Sequence, residues 1–358
     1  CSSDLTPKGA RSQDPFWEKS EVALLEALMF YLVYEAADSE KNFSTVMQIL
    51  AMANVSESAR KSNDMMDRMF DDLKRRDPDH IAVKQYEIFK QAAAKTAKSI
   101  LVSLAVRLEK FNLDSVRALT SADELELEKL GKEKTVLFCV IPDSDTSFNF
   151  IVSMLFTQIF QSLYRTADRE CGGRLPVDVH LILDEFPNVS RIFDFDKILS
   201  TMRSRGISAS IIIQNLTQLK TMFDKEWESI VGNCDELLYL GGNEQSTHEY
   251  ISKLLGKQTI QIMNNSKTSG RNSTYSTSYQ KTGRHLMDPD EVRLMDDGHA
   301  ILFVHGERAV YDRKYDLTRH PLYNEISNGG AKLYDHRRLR NALIEDPVLF
   351  AESEYEIT

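Results

Sequence analysis

The chain has 358 residues, a formal net charge of −10, 42% hydrophobic residues and 27% charged residues. This composition is ordinary for a globular protein with one large or two medium-sized domains. The acidic balance excludes a generally basic protein that coats nucleic acid, although a local basic surface stays possible. No apolar run approaches the roughly 18 residues that a membrane-spanning helix needs, and no signal peptide is visible.

The four cysteines stand at positions 1, 139, 171 and 234, without a C-x-x-C pair. No histidine accompanies them at zinc-binding spacing, so the pattern indicates a reduced cytoplasmic setting. The eight histidines also lack the spacing of metal ligands. Neither residue type therefore predicts a metal site.

The first third of the chain has helical periodicity. The segment 14–36 begins with Asp14 as a helix N-cap and Pro15 at the first helical position, and its apolar residues recur at spacings of three and four. Further helical patterns follow, and almost nothing before residue 134 has the β-branched, turn-bounded character of a strand. We predict a leader over residues 1–13 and an all-helical domain over residues 14–125.

From residue 126 onward, strands alternate with helices. We predict a fully buried strand at Lys134–Asp143, because this short apolar run contains β-branched residues and ends in Pro-Asp. Further strands are predicted at VHLILDE, SASIIIQN and DELLYLGG, and two late edge strands at HAILFVHG and AVYDRKYD. Strands that alternate with helices of this length predict a parallel sheet with crossover helices over residues 126–323. The charged residues 324–358 are predicted to form a peripheral tail.

The sequence LILDEF places Asp184 and Glu185 at the carboxyl end of a predicted buried strand, where ligands bind in open parallel sheets. An aspartate there can hold Mg²⁺ against nucleotide phosphates, and a neighbouring glutamate can deprotonate the attacking water. The alternative is that both acids simply cap the following helix. A nucleotide-hydrolysing core also needs a phosphate loop, G-x-x-x-x-G-K-[ST], and the sequence contains none.

Two more positions are candidates for nucleotide chemistry. Gln214 directly follows a predicted strand and can contact a γ-phosphate and the attacking water, although a polar strand end is also unremarkable. Arg203 and Arg205 stand near the end of a predicted helix, where they can interact with the helix dipole. Alternatively, one of them, and Arg203 before Arg205, can reach a neighbouring subunit's nucleotide as an arginine finger.

The segment Met263–Gly283 is rich in Ser, Thr and Asn and is predicted to be an exposed loop or irregular ribbon. In and beside this segment, basic residues interleave with tyrosines: Lys267, Arg271, Tyr275, Tyr279, Lys281 and Arg284. Such a mixture can follow a nucleic-acid backbone with help from base stacking. A solvated loop is the favoured interpretation.

Several long segments, in this order, resemble the TraG/TraD-type coupling proteins, the conjugative DNA-transfer ATPases of type IV secretion systems. They are DPFWEKSE, LDEFPNVSRIFDFDKILSTMRSRGISASIIIQNLTQL, WESIVGNCDELLYLGGNEQSTHEYISKLLGK and DPDEVRLMDDGHAILFVHGERAVYDRKYDLTRHP. The resemblance covers nearly everything from Thr6 to Tyr323. It implies an α/β fold with a RecA-like P-loop NTPase core, whose parallel sheet is incomplete here, and an inserted all-helical domain.

The resemblance also implies a function. Such proteins form a ring, commonly a hexamer, on the cytoplasmic face of the inner membrane, and they use ATP and Mg²⁺ to deliver relaxase-bound single-stranded DNA to the secretion channel. By the same resemblance, Asp184 holds the metal and contacts the nucleotide, Glu185 activates water, Gln214 senses the γ-phosphate, and Arg203 acts in trans. Two alternatives stay open: a related hexameric DNA translocase, and a non-enzymatic adaptor on the same fold that binds secretion substrates.

In the family, the phosphate loop and the membrane helices lie upstream of the point where this sequence begins. We therefore expect an N-terminally truncated chain that is soluble as a fragment and inactive as an ATPase without its phosphate loop. The first five residues, CSSDL, can be encoded by a common sequencing-adapter tail. We expect Cys1–Leu5 not to belong to the natural protein.

Overall fold

A computed structural model describes residues 15–53, 65–92, 94–141, 146–189, 191–267 and 275–332. The predicted leader and most of the predicted tail lie outside the described residues. The chain divides into two compact units, Cys1–Asn233 and Cys234–Thr358. Among the described helices, none combines the length and the apolar character needed to cross a bilayer.

The first part of unit one is helical. Its helices are α1 (Pro15–Glu35), α2 (Phe43–Met52), α3 (Met65–Arg76), α4 (Ile81–Lys90), α5 (Ala94–Arg107) and α6 (Asp114–Leu119). Local sequence explains their ends and faces: Asn42 caps α2 by accepting a hydrogen bond from the Thr45 N–H at 3.0 Å. Helix α3 buries Met66, Phe70 and Leu73 on one face and exposes all its charged residues except Asp67. A predicted domain boundary at residue 125 stays a prediction.

Helices α1 to α6 enclose one apolar core, which also takes in Phe150 from the next helix. A buried ion pair joins α1 to α5 beside this core. Glu21 is only 4% exposed, and its Oε1 accepts a hydrogen bond from the Ser103 hydroxyl at 2.5 Å. Arg107 lies 2.9 Å from Glu21 Oε2, as an ion pair rather than an aligned hydrogen bond. This carboxylate is therefore balanced by one arginine at the edge of an apolar region.

The second part of unit one contains the parallel strands. Its elements are α7 (Asn149–Arg165), β1 (Val179–Leu183), α8 (Phe195–Met202), β2 (Ile207–Ile211), α9 (Leu216–Phe223) and α10 (Trp227–Gly232). Strands β1 and β2 pair in parallel, with Val179 opposite Ile207 and Leu183 opposite Ile211. Helix α8 makes the crossover between them, as the alternating pattern predicts.

Three stacked or tilted phenylalanines form the centre of this second core, and we call Phe186, Phe195 and Phe223 the ring cluster. The Phe186 ring centroid lies 4.9 Å from that of Phe195 and 5.9 Å from that of Phe223. All three side chains are almost fully buried. Burial of these three aromatic rings stabilises the region next to the carboxyl ends of β1 and β2.

The predicted buried strand at Lys134–Asp143 is wrong. The described part, residues 134–141, forms no strand, and its apolar side chains before Ile141 are exposed, with Phe138 at 83% and Val140 at 80%. A strand requires a neighbouring backbone to complete its hydrogen bonds, and a buried strand requires cover on both faces. No β-ladder forms over the described residues 134–141, so an apolar composition alone does not produce a strand there.

Unit two contains β3 (Glu236–Tyr239), α11 (Gln245–Leu255), β4 (Lys257–Lys267), β5 (Tyr275–His285), α12 (Pro289–Arg293), β6 (His299–Val304) and β7 (Val310–Arg313). The two predicted late strands are confirmed as β6 and β7. The prediction that both lie at an edge is wrong for β6, which pairs with β3 on one side and β7 on the other. The strand predicted at DELLYLGG is β3, but it pairs antiparallel with β6 instead of joining the parallel pair in unit one. The alternation with helices predicted this strand correctly, but the parallel pairing that it predicted is wrong.

The prediction of a loop or irregular ribbon at Met263–Gly283 needs correction. Strands β4 and β5 form a regular antiparallel hairpin, with Lys257 opposite His285 and Lys267 opposite Tyr275. Residues 268–274 lie outside the described residues. The segment is poor in large apolar residues, but its Thr, Tyr and Ile residues suit a pleated strand once a partner strand is present.

Candidate functional site

The candidate site lies where β1 and β2 end, which we call the carboxyl edge. Parallel pairing continues past both strands, because the Ile212 N–H donates to the Leu183 carbonyl and the Phe186 N–H donates to the Ile212 carbonyl, both at 3.0 Å. Asp184 and Glu185 follow β1, and Gln214 follows β2. The structure therefore brings these three predicted residues to the same edge of the sheet.

The backbone at Glu185 is strained. Its φ of 45° is left-handed, a region that costs a residue with a Cβ about 1–2 kcal/mol. Directly after it, Phe186 is fully buried in the ring cluster. The turn thus places Phe186 inside and leaves the Glu185 and Asp184 side chains exposed. Strain held in place by buried neighbours is typical of functional turns.

Hydrogen bonds fix the two carboxylates within this turn. Asp184 Oδ1 accepts from the Glu185 N–H at 3.0 Å, and Glu185 Oε2 accepts from Asn188 Nδ2 at 2.8 Å. The first residue of α7 supports Asn188 in turn, since Asn149 Nδ2 donates to the Asn188 carbonyl at 3.0 Å. Sequence reasoning missed both asparagines. The spacing of three residues between Glu185 and Asn188, across a Pro-containing turn, is the signal that points to Asn188.

Gln214 is held at the start of α9. Its N–H donates to Gln218 Oε1 at 3.1 Å, and its Oε1 lies 3.4 Å from Gln218 Nε2. Asn215 caps the same helix by accepting from the Gln218 N–H at 3.0 Å. The Gln214 amide is exposed at the carboxyl edge and can both donate and accept a hydrogen bond.

Arg203 lies at the other edge of the sheet from the acids. It terminates α8, and the chain then turns at Gly206 to start β2. The Val179 N–H donates to the Gly206 carbonyl at 2.9 Å, which puts this turn beside the amino ends of both strands. Strand β2 has 5 residues, which at about 3.3 Å per residue separates the two edges by roughly 16 Å. Within its own chain, Arg203 is therefore not part of the carboxyl edge.

Arg205 has a structural role. Its Nε and NH2 each lie 2.9 Å from an Asp168 carboxylate oxygen, and its NH1 donates to the Thr201 carbonyl at 3.0 Å. The guanidinium also stacks 4.4 Å from the centroid of the Tyr164 ring. The hydrogen bonds with Asp168 raise the pKa of Arg205 above its ordinary value. This side chain is committed to contacts within its own fold.

The carboxyl edge suits a magnesium–nucleotide complex better than a metal held by protein alone. In the described part of the chain, no cluster of three or more His, Cys, Asp or Glu side chains could enclose a metal ion. Mg²⁺ bound to a nucleotide needs only one or two carboxylates, because phosphates and water complete its oxygen ligands. The exposed carboxylate of Asp184 has the required chemistry. The backbone cradle for the phosphates is absent from the sequence.

Curated proteins of conjugation systems are similar to this chain. VirD4 of Rhizobium rhizogenes is 24% identical over 201 residues, which cover 56% of this chain and 30% of VirD4. The conjugal transfer protein TraG of Escherichia coli is 23% identical over 353 residues, which cover 89% of this chain and 54% of TraG. The chain therefore spans about half or less of the length of these relatives.

Solved structures of the plasmid coupling protein TrwB share the fold. An unbound form, described as bacterial conjugative coupling protein TrwBdeltaN70, matches with a TM-score of 0.61 at 15% identity, covering 89% of this chain and 69% of that chain. TrwB in complex with ADP and Mg²⁺ matches with a TM-score of 0.59 at 15% identity and the same coverage. This likeness confirms the predicted fold class, an α/β core of the RecA-like fold with a helical domain.

The family follows from the sequence match rather than from the fold alone. Residues 2–322 match the family model described as type IV secretory system conjugative DNA transfer. This range contains both parts of unit one and almost all described residues of unit two. The chain belongs to the type IV secretory system conjugative DNA-transfer family.

Proposed function

We propose that this chain is the nucleotide-hydrolysing part of a coupling protein that recruits relaxase-bound single-stranded DNA and passes it to the channel of a type IV secretion system. The observation that carries the proposal is the strained turn that presents Asp184 and Glu185 beside Gln214 at the carboxyl edge, in a member of this family. A cap for the following helix would not need this geometry: Glu185 makes no side-chain cap hydrogen bond to the short helix after it. Its side chain instead faces solvent with Asn188 as a support.

Each residue at the carboxyl edge has one proposed role. When bound, Mg²⁺–ATP supplies the phosphoryl group and a cation that withdraws charge from the phosphate oxygens. Asp184 would hold the metal through a carboxylate oxygen, and Gln214 would orient the attacking water. Glu185 would accept the proton of that water as general base, through the carboxylate that Asn188 positions. This sequence contains no phosphate loop, and we expect the chain alone not to hydrolyse ATP appreciably.

The position of Arg203 supports a ring. An exposed arginine roughly a strand length from the acids cannot complete the site of its own chain. A ring of identical subunits, which we propose to be a hexamer, can set the amino edge of one subunit against the carboxyl edge of the next. Arg203 would then stabilise the transition-state charge at the neighbour's nucleotide. The location that accompanies this function is the cytoplasmic face of the inner membrane, beside the secretion channel.

The test is to sequence the locus upstream of the Thr6 codon and to express the complete in-frame protein in donor cells that lack their own copy. Glu185→Gln should retain ATP binding and lose hydrolysis by about 10²–10⁴-fold, with loss of DNA transfer. Glu228→Gln, which neutralises an exposed acid on α10, is the matched control and should behave as wild type. Normal transfer by the Glu185→Gln protein, or a complete gene without a phosphate loop, would overturn the motor and favour a substrate-binding adaptor.

A further inference from the structure

The hairpin of β4 and β5 is a basic element in an acidic protein. From Lys257 to His285 the sequence contains no Asp or Glu, although the chain as a whole has a net charge of −10. The same stretch contains five lysines and arginines: Lys257, Lys267, Arg271, Lys281 and Arg284. Such local segregation of charge marks a surface for an anionic partner.

The described residues of the hairpin divide between two faces. In an antiparallel pair, directly opposite residues share a face and successive residues alternate. The pairs Lys257–His285, Gln261–Lys281 and Met263–Tyr279 therefore lie on one face. We call the exposed residues Lys257, Gln261, Met263, Tyr279 and Lys281 the lysine face. The other face carries Ile260 and Ile262 of β4, which lie opposite Thr282 and Gln280 of β5.

The two lysines of this face are available to an outside partner, unlike the arginine on the opposite face. Arg284 pairs with Asp288 at 3.4 Å and with Glu291 at 2.5 Å, and these hydrogen bonds raise its pKa. Among the described residues, no carboxylate lies within ion-pair distance of Lys257 or Lys281. The pairs of Arg284 instead tie the base of the hairpin to α12, next to the hydrogen bond from the Leu286 N–H to the Gly256 carbonyl at 3.0 Å.

The lysine face also exposes large side chains that serve no core. Tyr279 is 65% exposed and Met263 is 54% exposed, and they lie directly opposite each other. Each strand has 11 residues, so the ribbon is about 37 Å long at roughly 3.4 Å per residue. A two-stranded ribbon gains little stability by itself, and exposed aromatic area on it is available for binding.

Lysines in line with an exposed aromatic ring fit single-stranded nucleic acid. Along the ribbon, Lys281 lies four residues from Lys257 and Tyr279 two residues further, distances of about 14 Å and 7 Å. Lysines on such a track neutralise phosphates, and an exposed ring stacks on an unpaired base. A duplex would satisfy the lysines but offers no unstacked base to Tyr279, which favours a single strand.

We propose that the lysine face binds single-stranded nucleic acid, with Lys257 and Lys281 on phosphates and Tyr279 stacked on a base. The identification of this strand as transferred DNA rests on the proposed function. The binding itself needs neither ATP nor a phosphate loop, so the 358-residue chain is a sufficient sample. Nucleic-acid binding at the lysine face can therefore be tested independently of ATP hydrolysis at the carboxyl edge.

The experiment measures fluorescence anisotropy of a labelled oligothymidine with the full chain over a series of salt concentrations. Tyr279→Ala should weaken binding by roughly 5- to 150-fold, and Tyr279→Phe should restore it. Replacing Lys257 and Lys281 with Gln should lower the affinity and reduce the slope of log affinity against log salt by about 1.4, or roughly 0.7 for each lost phosphate contact. The single replacement Lys281→Gln should lower the affinity and reduce the slope by about 0.7. Lys253→Gln on α11 removes an exposed lysine outside the hairpin and is its charge-matched control.

Three results would overturn the proposal: equal loss with Lys253→Gln and Lys281→Gln, no effect of Tyr279→Ala, or binding only to duplex DNA or to anionic lipid vesicles. Circular dichroism of each variant confirms that the exposed substitutions leave the fold intact. If the Glu185→Gln test fails while oligothymidine binding follows the lysine face, the proposed motor is wrong and the surface stands. If ATP hydrolysis behaves as proposed while the hairpin variants bind normally, the surface is wrong and the motor stands.

Discussion

Arg203 and Arg205 are two residues apart, and the different roles that we propose for them can be separated by substitution. Arg205→Ala should lower the free energy of unfolding of the β1–β2 region by about 1–2 kcal/mol. Its bidentate pair with Asp168 is partly exposed, at 22% and 44% for the two side chains, so solvent screening limits it to about 0.5–1 kcal/mol. The contact with Tyr164 adds about 0.5–1 kcal/mol. Arg203→Ala, at an exposed helix end, should destabilise the fold less than Arg205→Ala.

Urea unfolding followed by tryptophan fluorescence measures this difference. Trp227 packs against the core around the ring cluster and Trp17 against the helical core, so a Trp17→Phe background reports on the relevant region. A lower midpoint at unchanged m-value indicates lost stability. Asp168→Asn and the double variant complete a thermodynamic cycle. The coupling free energy between Arg205 and Asp168 should account for most of the loss of stability in Arg205→Ala that the Tyr164 contact does not explain.

A second assay addresses Arg203 in the complete protein. Rings of Arg203→Ala alone and of Glu185→Gln alone should be inactive, whereas mixed rings should recover part of the ATPase activity at interfaces where both partners are intact. Recovery on mixing requires the arginine and the base to come from different subunits. Equal destabilisation by Arg203→Ala and Arg205→Ala, or no recovery on mixing, would refute the assignment of a structural role to one arginine and a trans-acting role to the other.

Two further predictions concern stability. Arg107→Ala should cost about 3–5 kcal/mol in urea unfolding followed at Trp17, because it leaves the buried Glu21 carboxylate without its ion pair; a cost below about 1 kcal/mol would mean that water reaches Glu21. Burial raises the pKa of Glu244, but hydrogen bonds from Ser246 and Thr247 outweigh it and lower the pKa to about 2 from an ordinary 4.5. The cap therefore stabilises α11 above about pH 4.5 and loses this effect as the pH falls toward 2. Glu244→Gln should cost about 1 kcal/mol at neutral pH and remove this pH dependence, measured as hydrogen exchange of the first α11 amides; a pH dependence unchanged in the variant would contradict it.

The sequence was sufficient to predict the structure where the same few residues determine both the burial and the chemistry. An apolar run followed at once by Asp184 and Glu185 predicted the strand β1 and placed the candidate site at its carboxyl end. The prediction that this strand is buried is only half correct, because β1 buries Leu181 and Leu183 but leaves Ile182 70% exposed. The sequence was insufficient where the outcome depends on a partner strand. The apolar run Lys134–Asp143 was wrongly predicted as a strand, and the polar run Met263–Gly283 was wrongly predicted as a loop. In both cases the composition of one segment did not show whether a second strand would pair with it.

The sequence also could not show how Glu185 is held. Within the described residues, three acidic residues with left-handed φ each adjoin a phenylalanine of the ring cluster: Glu185 precedes Phe186, Asp194 precedes Phe195 and Asp224 follows Phe223. Each left-handed residue costs about 1–2 kcal/mol, and burial of a phenylalanine side chain returns about 1.5–3 kcal/mol. Because the two are adjacent in sequence, burial of the ring can offset the cost of the strained residue beside it. We therefore infer that two features orient the Glu185 carboxylate: the packing of Phe186 in the ring cluster and the hydrogen bond from Asn188.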